Sequence, residues 1–242
     1  MAERASNRPA SPANDDVRNV AEASSTLSSP SSSPSGPASG GSRGGSARLR
    51  WRAADIAVGA ALGVACGLVF WGFNFAYSWV SPILGAILPG VASVLHPFWY
   101  FSGTLALLIL RKPGAAAYVN VVGSAAEMLL GNQFSFGFVF ASAILQGVFA
   151  EIPFALTRYR RFSLPMSMLS GALVALEYGV YLMLFRYQGV AFLSPRGIIH
   201  MVSEIVGGVL IAGVMSWYLY RAIALTGALD RFASGRAVRG GE

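Results

Sequence analysis

One cysteine, one lysine and two histidines are all that this chain of 242 residues offers to thiol, P-loop or metal chemistry. Cys66 lies alone inside an apolar run, which excludes a disulfide framework and a cysteine-based metal site. Lys112 is not preceded by a Gly-x-x-x-x-Gly signature, so the chain carries no nucleotide-hydrolysing loop. His96 and His200 form no His-Glu-x-x-His pair, and no zinc-protease or other metal site is expected. No nucleophile sits at a convincing spacing from a base, so neither an enzyme nor a cofactor is expected. Charge is scarce as well: 12% of residues are charged against 54% hydrophobic, and the mean hydropathy is +0.54. The net charge of +7 would suit nucleic acid, but the basic residues flank apolar runs and form no interleaved patch.

What is present is organised around residues 111–161. Two apolar runs meet there at a short polar tip, Gly131-Asn132-Gln133, between the basic feet Arg111-Lys112 and Arg158, Arg160 and Arg161. A helix crossing about 30 Å of hydrocarbon needs roughly 20 apolar residues, and Lys and Arg concentrate on the cytoplasmic side. The stretch therefore reads as a transmembrane hairpin with cytoplasmic feet and an outward tip.

Taken in order, residues 1–47 are rich in Ser, Pro, Gly and Ala and read as a disordered cytoplasmic tail, since they cannot bury enough surface to offset chain entropy. No apolar core follows the first arginines, so they are not a signal peptide. Residues 48–230 read as a six-helix membrane domain, and 231–242 as a basic cytoplasmic tail. The first span runs from Ala53 to Trp79. Pro82, Pro89 and Gly90 break the apolar residues 80–93 into an outer loop. His96-Pro97 opens the second span, which ends at Arg111-Lys112. Pro113 begins the third, the hairpin tip leads into the fourth, Pro165–Phe185 forms the fifth and Gly197–Arg221 the sixth. The expected class is an all-α integral membrane bundle with both ends inside, because 16 of the 18 Lys and Arg fall on the cytoplasmic side; Arg186 and Arg196 are the exceptions.

Two patterns within the spans bear on function. Ala53, Ala57, Ala61 and Ala65 recur every four residues on span one, with Gly59, Gly63 and Gly67 on a neighbouring face. Small residues at that spacing let another helix approach closely, whether one of this bundle or one of a membrane partner. Secondly, each of spans three to six carries a glutamate, a residue costly to insert and usually functional. At about 1.5 Å of rise per residue, Glu127, Glu177 and Glu204 share a level in the outer half, while Glu151 sits near the cytoplasmic end and reads as structural. Asn120 and Ser124 align with Glu127 at helical spacing, Ser142 aligns with Gln146, Tyr181 lies one turn from Glu177, and His200 one turn from Glu204. Trp71, Trp79, Trp99, Tyr100, Phe134, Phe136 and Tyr178 crowd the same half. Carboxylates beside aromatic rings suit a small organic cation or a flat heteroaromatic ligand. Trp79 and Trp99 near helix ends suit interfacial anchors equally well.

The segments RKPGAA, EMLLGN, QGVFAE and RYRR, all within residues 111–161, resemble the substrate-binding S component of energy-coupling-factor vitamin transporters, in the thiamine-related, YkoE-type branch. The resemblance covers roughly residues 50–230. It implies a six-helix fold that captures its substrate on the outer side, under the loop joining spans one and two. It also implies that Ala57, Ala61 and Ala65 dock on a transmembrane coupling subunit driven by two cytoplasmic ATPases, which accounts for the missing nucleotide motif. Glu127, Asn132, Gln146 and Glu151 match the family pattern. Asn120 stands where an acid is expected, Glu204 where a base would be less surprising, and Glu177 has no counterpart.

The sequence reading is thus a multi-pass subunit of the bacterial cell membrane that binds thiamine or its pyrimidine precursor, hydroxymethylpyrimidine. Its partners are a coupling subunit, two ATPases and the bilayer, and nucleic acid is not among them. The ligand would be met by Glu127, Asn120, Asn132, Gln146, Glu177, Tyr178, Tyr181, Glu204, His200, Trp99 and Tyr100. The alternative is an autonomous ion-coupled transporter of a small organic cation. Duplicated halves and paired broken helices, which such folds often show, are not evident.

Overall fold

The computed structural model describes residues 49–132 and 134–240. The tail at 1–47 and Gln133 of the hairpin tip lie outside the described residues. The described chain is helical: α1 (Ala53–Ile87), α2 (Val91–Leu110), α3 (Ala115–Leu130), α4 (Phe136–Leu156), α5 (Leu164–Phe185), α6 (Pro195–Leu225) and α7 (Ala233–Arg239). By length and composition α1, α2, α4, α5 and α6 can each cross a membrane. The apolar α3 is shorter, with 16 residues, because glycines in positive-φ conformations end it on both sides, Gly114 at 79° and Gly131 at 109°. It begins two residues after Pro113, the expected start.

Helix α1 starts where Asp55 folds back to accept the Arg52 backbone N–H at 2.9 Å. Its two small-residue stripes separate. Gly59, Gly63 and Gly67 are buried, whereas Ala57, Ala61 and Ala65 are exposed. The glycines allow α3 to come close: a Cβ on Gly67 would stand 2.5 Å from the Gly123 carbonyl oxygen, and one on Gly63 2.7 Å from Val122. The helix also continues beyond Trp79 to Ile87, through Pro82, where an outer loop was expected. One proline removes a single backbone donor, and apolar residues on both sides keep the helix intact across it. The break comes instead at Gly90, with φ 102.

Helix α2 opens in tight 3-10 turns over Val91–Trp99 and then runs as α-helix over Phe101–Leu110, every residue of which is buried. It is the central post of the bundle. Glycines again set its neighbours' spacing. Gly171 of α5 faces Gly208 of α6, where a Cβ would meet a carbonyl oxygen at 2.2 Å, and α6 widens into π-helical turns over Gly208–Met215 at this crossing. Helix α6 continues past Arg221, its expected end, to Leu225.

The Lys112 end of the bundle is held by polar ties. Lys112 Nζ lies 3.5 Å from Asp55 and donates to the Arg50 carbonyl at 2.8 Å. The Arg111 guanidinium sits 4.6 Å above the Phe162 ring. The C-terminal residues 231–242, expected as a basic tail, include α7. There Ser234 donates to the Ile109 carbonyl at 2.7 Å, and Tyr220 donates to the Ser234 carbonyl at 2.7 Å.

Candidate ligand-binding site

At the opposite end, around the junction of α1 and α2, a large and a small cavity share Trp99, Phe134 and Tyr178 as walls. The smaller, about 40 Å³, is a recess lined by Ser124, Glu127, Asn132, Phe138, Ser142 and Gln146 as well. The larger, about 630 Å³, is bounded by Tyr77, Ser78, Ser81, His96, Arg186 and Arg196, among others. That volume falls in the range of a small-molecule pocket. The recess holds little more than one water or one amino group.

The chain builds the recess from four helices. On α3, Glu127 accepts from Asn74 Nδ2 at 2.6 Å. Asn74 in turn accepts from the Trp99 indole at 3.1 Å, so the carboxyl, the amide and the aromatic wall hold one another in place. On α4, Gln146 donates to Ser142 at 2.7 Å. Asn132 accepts from the Phe134 backbone N–H at 2.9 Å and so sets the turn that presents the Phe134 ring. Tyr178 of α5 closes the site, in contact with Tyr100 and nearly parallel to Tyr181.

Behind the larger cavity runs a buried polar chain. His96 Nδ1 lies 2.6 Å from Glu204, and its Nε2 2.8 Å from the Tyr77 hydroxyl. Tyr100 donates to the other Glu204 oxygen at 3.0 Å. Glu204 is fully buried, so both its oxygens are satisfied within the protein. His200 is hydrogen-bonded to Ser93 through one ring nitrogen and lies 3.2 Å from the Gly179 carbonyl through the other. No group of three or more His, Cys, Asp or Glu side chains among the described residues has metal-site geometry.

The structure therefore brings Glu127, Asn132, Gln146, Trp99 and Tyr178 together at the recess, and His200 at the larger cavity. Glu204 and Tyr100 stand one layer behind. Asn120 lies off both cavities; it accepts from Ser102 at 2.6 Å and ties α2 to α3. Tyr181 donates to the Phe138 carbonyl at 3.0 Å and pins α5 to α4. Glu177, one turn earlier on that face, is buried, and its Oε2 has no hydrogen-bond partner. Glu151 lies at the Lys112 end, where it accepts from the Gly114 and Ala116 backbone N–H groups at 2.9 and 3.2 Å and from Tyr159 at 3.0 Å. It caps α3 from α4 and takes Tyr159 as a side-chain partner. Trp79 and Phe136 are 78% and 67% exposed and line neither cavity.

Tyr77 and His96, which line the larger cavity, and Asn74, which holds Glu127 at the recess, do not figure among the residues expected from the sequence to meet a ligand. A signal existed for Asn74 and Tyr77. Asn74 follows Gly67 by seven residues, so it continues the buried glycine face of α1, and Tyr77, Ser78 and Ser81 extend that face. His96 carried no pattern of its own, since its partners lie on α1 and α6.

Comparison with known proteins places this architecture. Residues 54–177 match the family of the ABC-type cobalt transport system, permease component. The Bacillus subtilis (strain 168) protein named "Putative HMP/thiamine permease protein YkoE" is 27% identical over 190 residues, covering 78% of this chain and 92% of that protein. A crystal structure of an S-component of an ECF transporter superimposes with a TM-score of 0.70 at 24% identity, over 79% of this chain and 94% of the other. With half its length matched, the chain belongs to the family of the ABC-type cobalt transport system, permease component, and it shares the fold of an S-component of an ECF transporter.

Proposed function

We propose that this protein is the substrate-binding subunit of an ATP-driven vitamin importer, and that it captures thiamine or its hydroxymethylpyrimidine precursor from outside the cell. The observation that carries the reading is the Glu127 recess. Its volume of about 40 Å³ fits an exocyclic amino group but not a ring, and it shares three aromatic walls with a cavity of about 630 Å³. An aminopyrimidine meets those demands. Its amino group donates to Glu127, whose position Asn74 fixes, while the ring lies in the larger cavity against Trp99, Phe134 and Tyr178. Gln146 and Asn132 supply further polar contacts, and His96, Glu204 and Tyr100 hold the wall behind. The name of the Bacillus subtilis relative supports the ligand class.

The membrane arrangement follows from charge. Basic residues stand before α3, at Arg111-Lys112, and after α4, at Arg158, Arg160 and Arg161. Both ends of this hairpin then belong on the cytoplasmic side, so α3 must cross together with α4 despite its length. That yields six crossings with both chain ends inside, and a cavity open to the outside. The exposed Ala57, Ala61 and Ala65 form a smooth face on which a helix of a coupling subunit packs, with two ATPases supplying the energy.

The test is titration of the purified protein in detergent, without ATP, against thiamine, hydroxymethylpyrimidine and unrelated vitamins, followed by intrinsic tryptophan fluorescence. Saturable binding of the first two, with quenching from Trp99, is expected. Absence of binding by either refutes the reading.

A further inference from the structure

The larger cavity has a charge pattern that an aminopyrimidine alone does not explain. Among its lining residues there is no Asp or Glu, but there are two arginines, Arg186 and Arg196. These are also the two basic residues that fall outside the cytoplasmic clusters. Neither makes an ion pair among the described residues. Each is instead carried on an aromatic ring: Arg186 Cζ lies 6.0 Å from the centre of the Phe134 ring, and Arg196 Cζ lies 5.8 Å from that of Tyr187. Both guanidiniums are near enough to Tyr187, in the loop between α5 and α6, to oppose the upward push that burial gives its phenol. The cavity's histidines do not compensate or compete, since each has both ring nitrogens engaged within the protein. The site thus presents a carboxyl at the recess, aromatic rings beside it and, at the pole formed by the larger cavity, two exposed guanidiniums that make no ion pair among the described residues. Phe134 joins the poles, because it walls the recess and lies beneath Arg186.

We infer that the larger cavity is an anion subsite, and that the preferred ligand is a heteroaromatic amine carrying a phosphate-bearing tail, held between Arg186 and Arg196. The guanidinium fork matches a phosphate oxygen pair in geometry as well as charge. An unphosphorylated cation gains nothing at that pole and is opposed by it. This inference rests on the proposed function and specifies the ligand that the same site takes.

Calorimetry in lipid-free detergent with thiamine and thiamine monophosphate, and with hydroxymethylpyrimidine and its phosphate, tests it. Each phosphate ester is expected to bind at least about tenfold tighter than its parent. In Arg186→Gln and Arg196→Gln the ester's advantage should shrink, and in the double variant disappear. Glu127→Gln should weaken ester and parent by the same factor, leaving their ratio intact. A lipid headgroup would offer the guanidiniums the same phosphate chemistry, so the measurement is repeated in phosphatidylglycerol nanodiscs. The ester's advantage should persist there, and its disappearance would assign the arginines to lipid and overturn the inference. Equal affinities for ester and parent in detergent overturn it as well, while leaving the vitamin-binding reading intact. Failure of every compound to bind removes both.

Discussion

Glu127→Gln is the substitution on which the placement of the site turns. In the wild type one carboxyl oxygen accepts from Asn74 at 2.6 Å, and the group borders a recess too small for anything but a polar head. Glutamine is isosteric, and its amide oxygen can keep the Asn74 bond. Its NH₂ then points into the recess, where the ligand's amino group also seeks an acceptor. One charge-assisted hydrogen bond is lost and two donors are opposed. Such a bond contributes about 1.5–3 kcal/mol, which corresponds to a rise in Kd of roughly 10- to 150-fold. Because Glu127 is buried, thermal unfolding of the variant must be measured alongside, to separate lost binding from lost folding. Calorimetric titration with hydroxymethylpyrimidine reads the effect directly. A folded variant whose Kd stays within about twofold of wild type refutes the recess as the anchoring point.

Three further outcomes are expected. Removing one member of the buried His96–Glu204 pair, as in Glu204→Leu, should cost about 3–5 kcal/mol of stability, since His96 and Tyr100 lose their acceptor; a double variant His96→Leu/Glu204→Leu should lose less than the sum of the two single changes, in chemical unfolding followed by fluorescence. Gly63→Leu and Ala61→Leu lie two residues apart on α1 but on opposite faces. The first should force α3 away and lower stability by at least about 2 kcal/mol, whereas the second should leave stability within about 0.5 kcal/mol and abolish co-purification with a coupling subunit. Glu151→Gln should lower stability by about 1 kcal/mol by weakening the cap on α3, with ligand affinity within about twofold of wild type because the residue stands at the far end from the recess.

Helix class and approximate spans follow from long apolar runs punctuated by basic residues, because burial in hydrocarbon leaves the backbone no alternative to internal hydrogen bonding. The burial of Glu127 against a polar partner was legible for a related reason: a carboxyl in such a run is costly unless it is partnered, and Ser124 beside it marks one helix face. The separation of the two small-residue stripes on α1 was only half legible. Spacing shows that Gly59, Gly63 and Gly67 share a face and that Ala57, Ala61 and Ala65 share another, but not which of the two meets α3. Packing decides it, because only a residue without a side chain tolerates the Gly123 carbonyl at the crossing. The end of α1 was misplaced at Trp79, since a proline is a local signal and the helix is held by its apolar surroundings. The fates of Asn120, Glu204 and Glu177 could not be read at all. All three are polar residues within spans, and the sequence makes them alike. Tertiary structure ties Asn120 to Ser102, surrounds Glu204 with His96 and Tyr100, and leaves one oxygen of Glu177 unpartnered. A buried polar group is defined by the partner that satisfies it, and that partner lies on another helix, in one case 108 residues away along the chain.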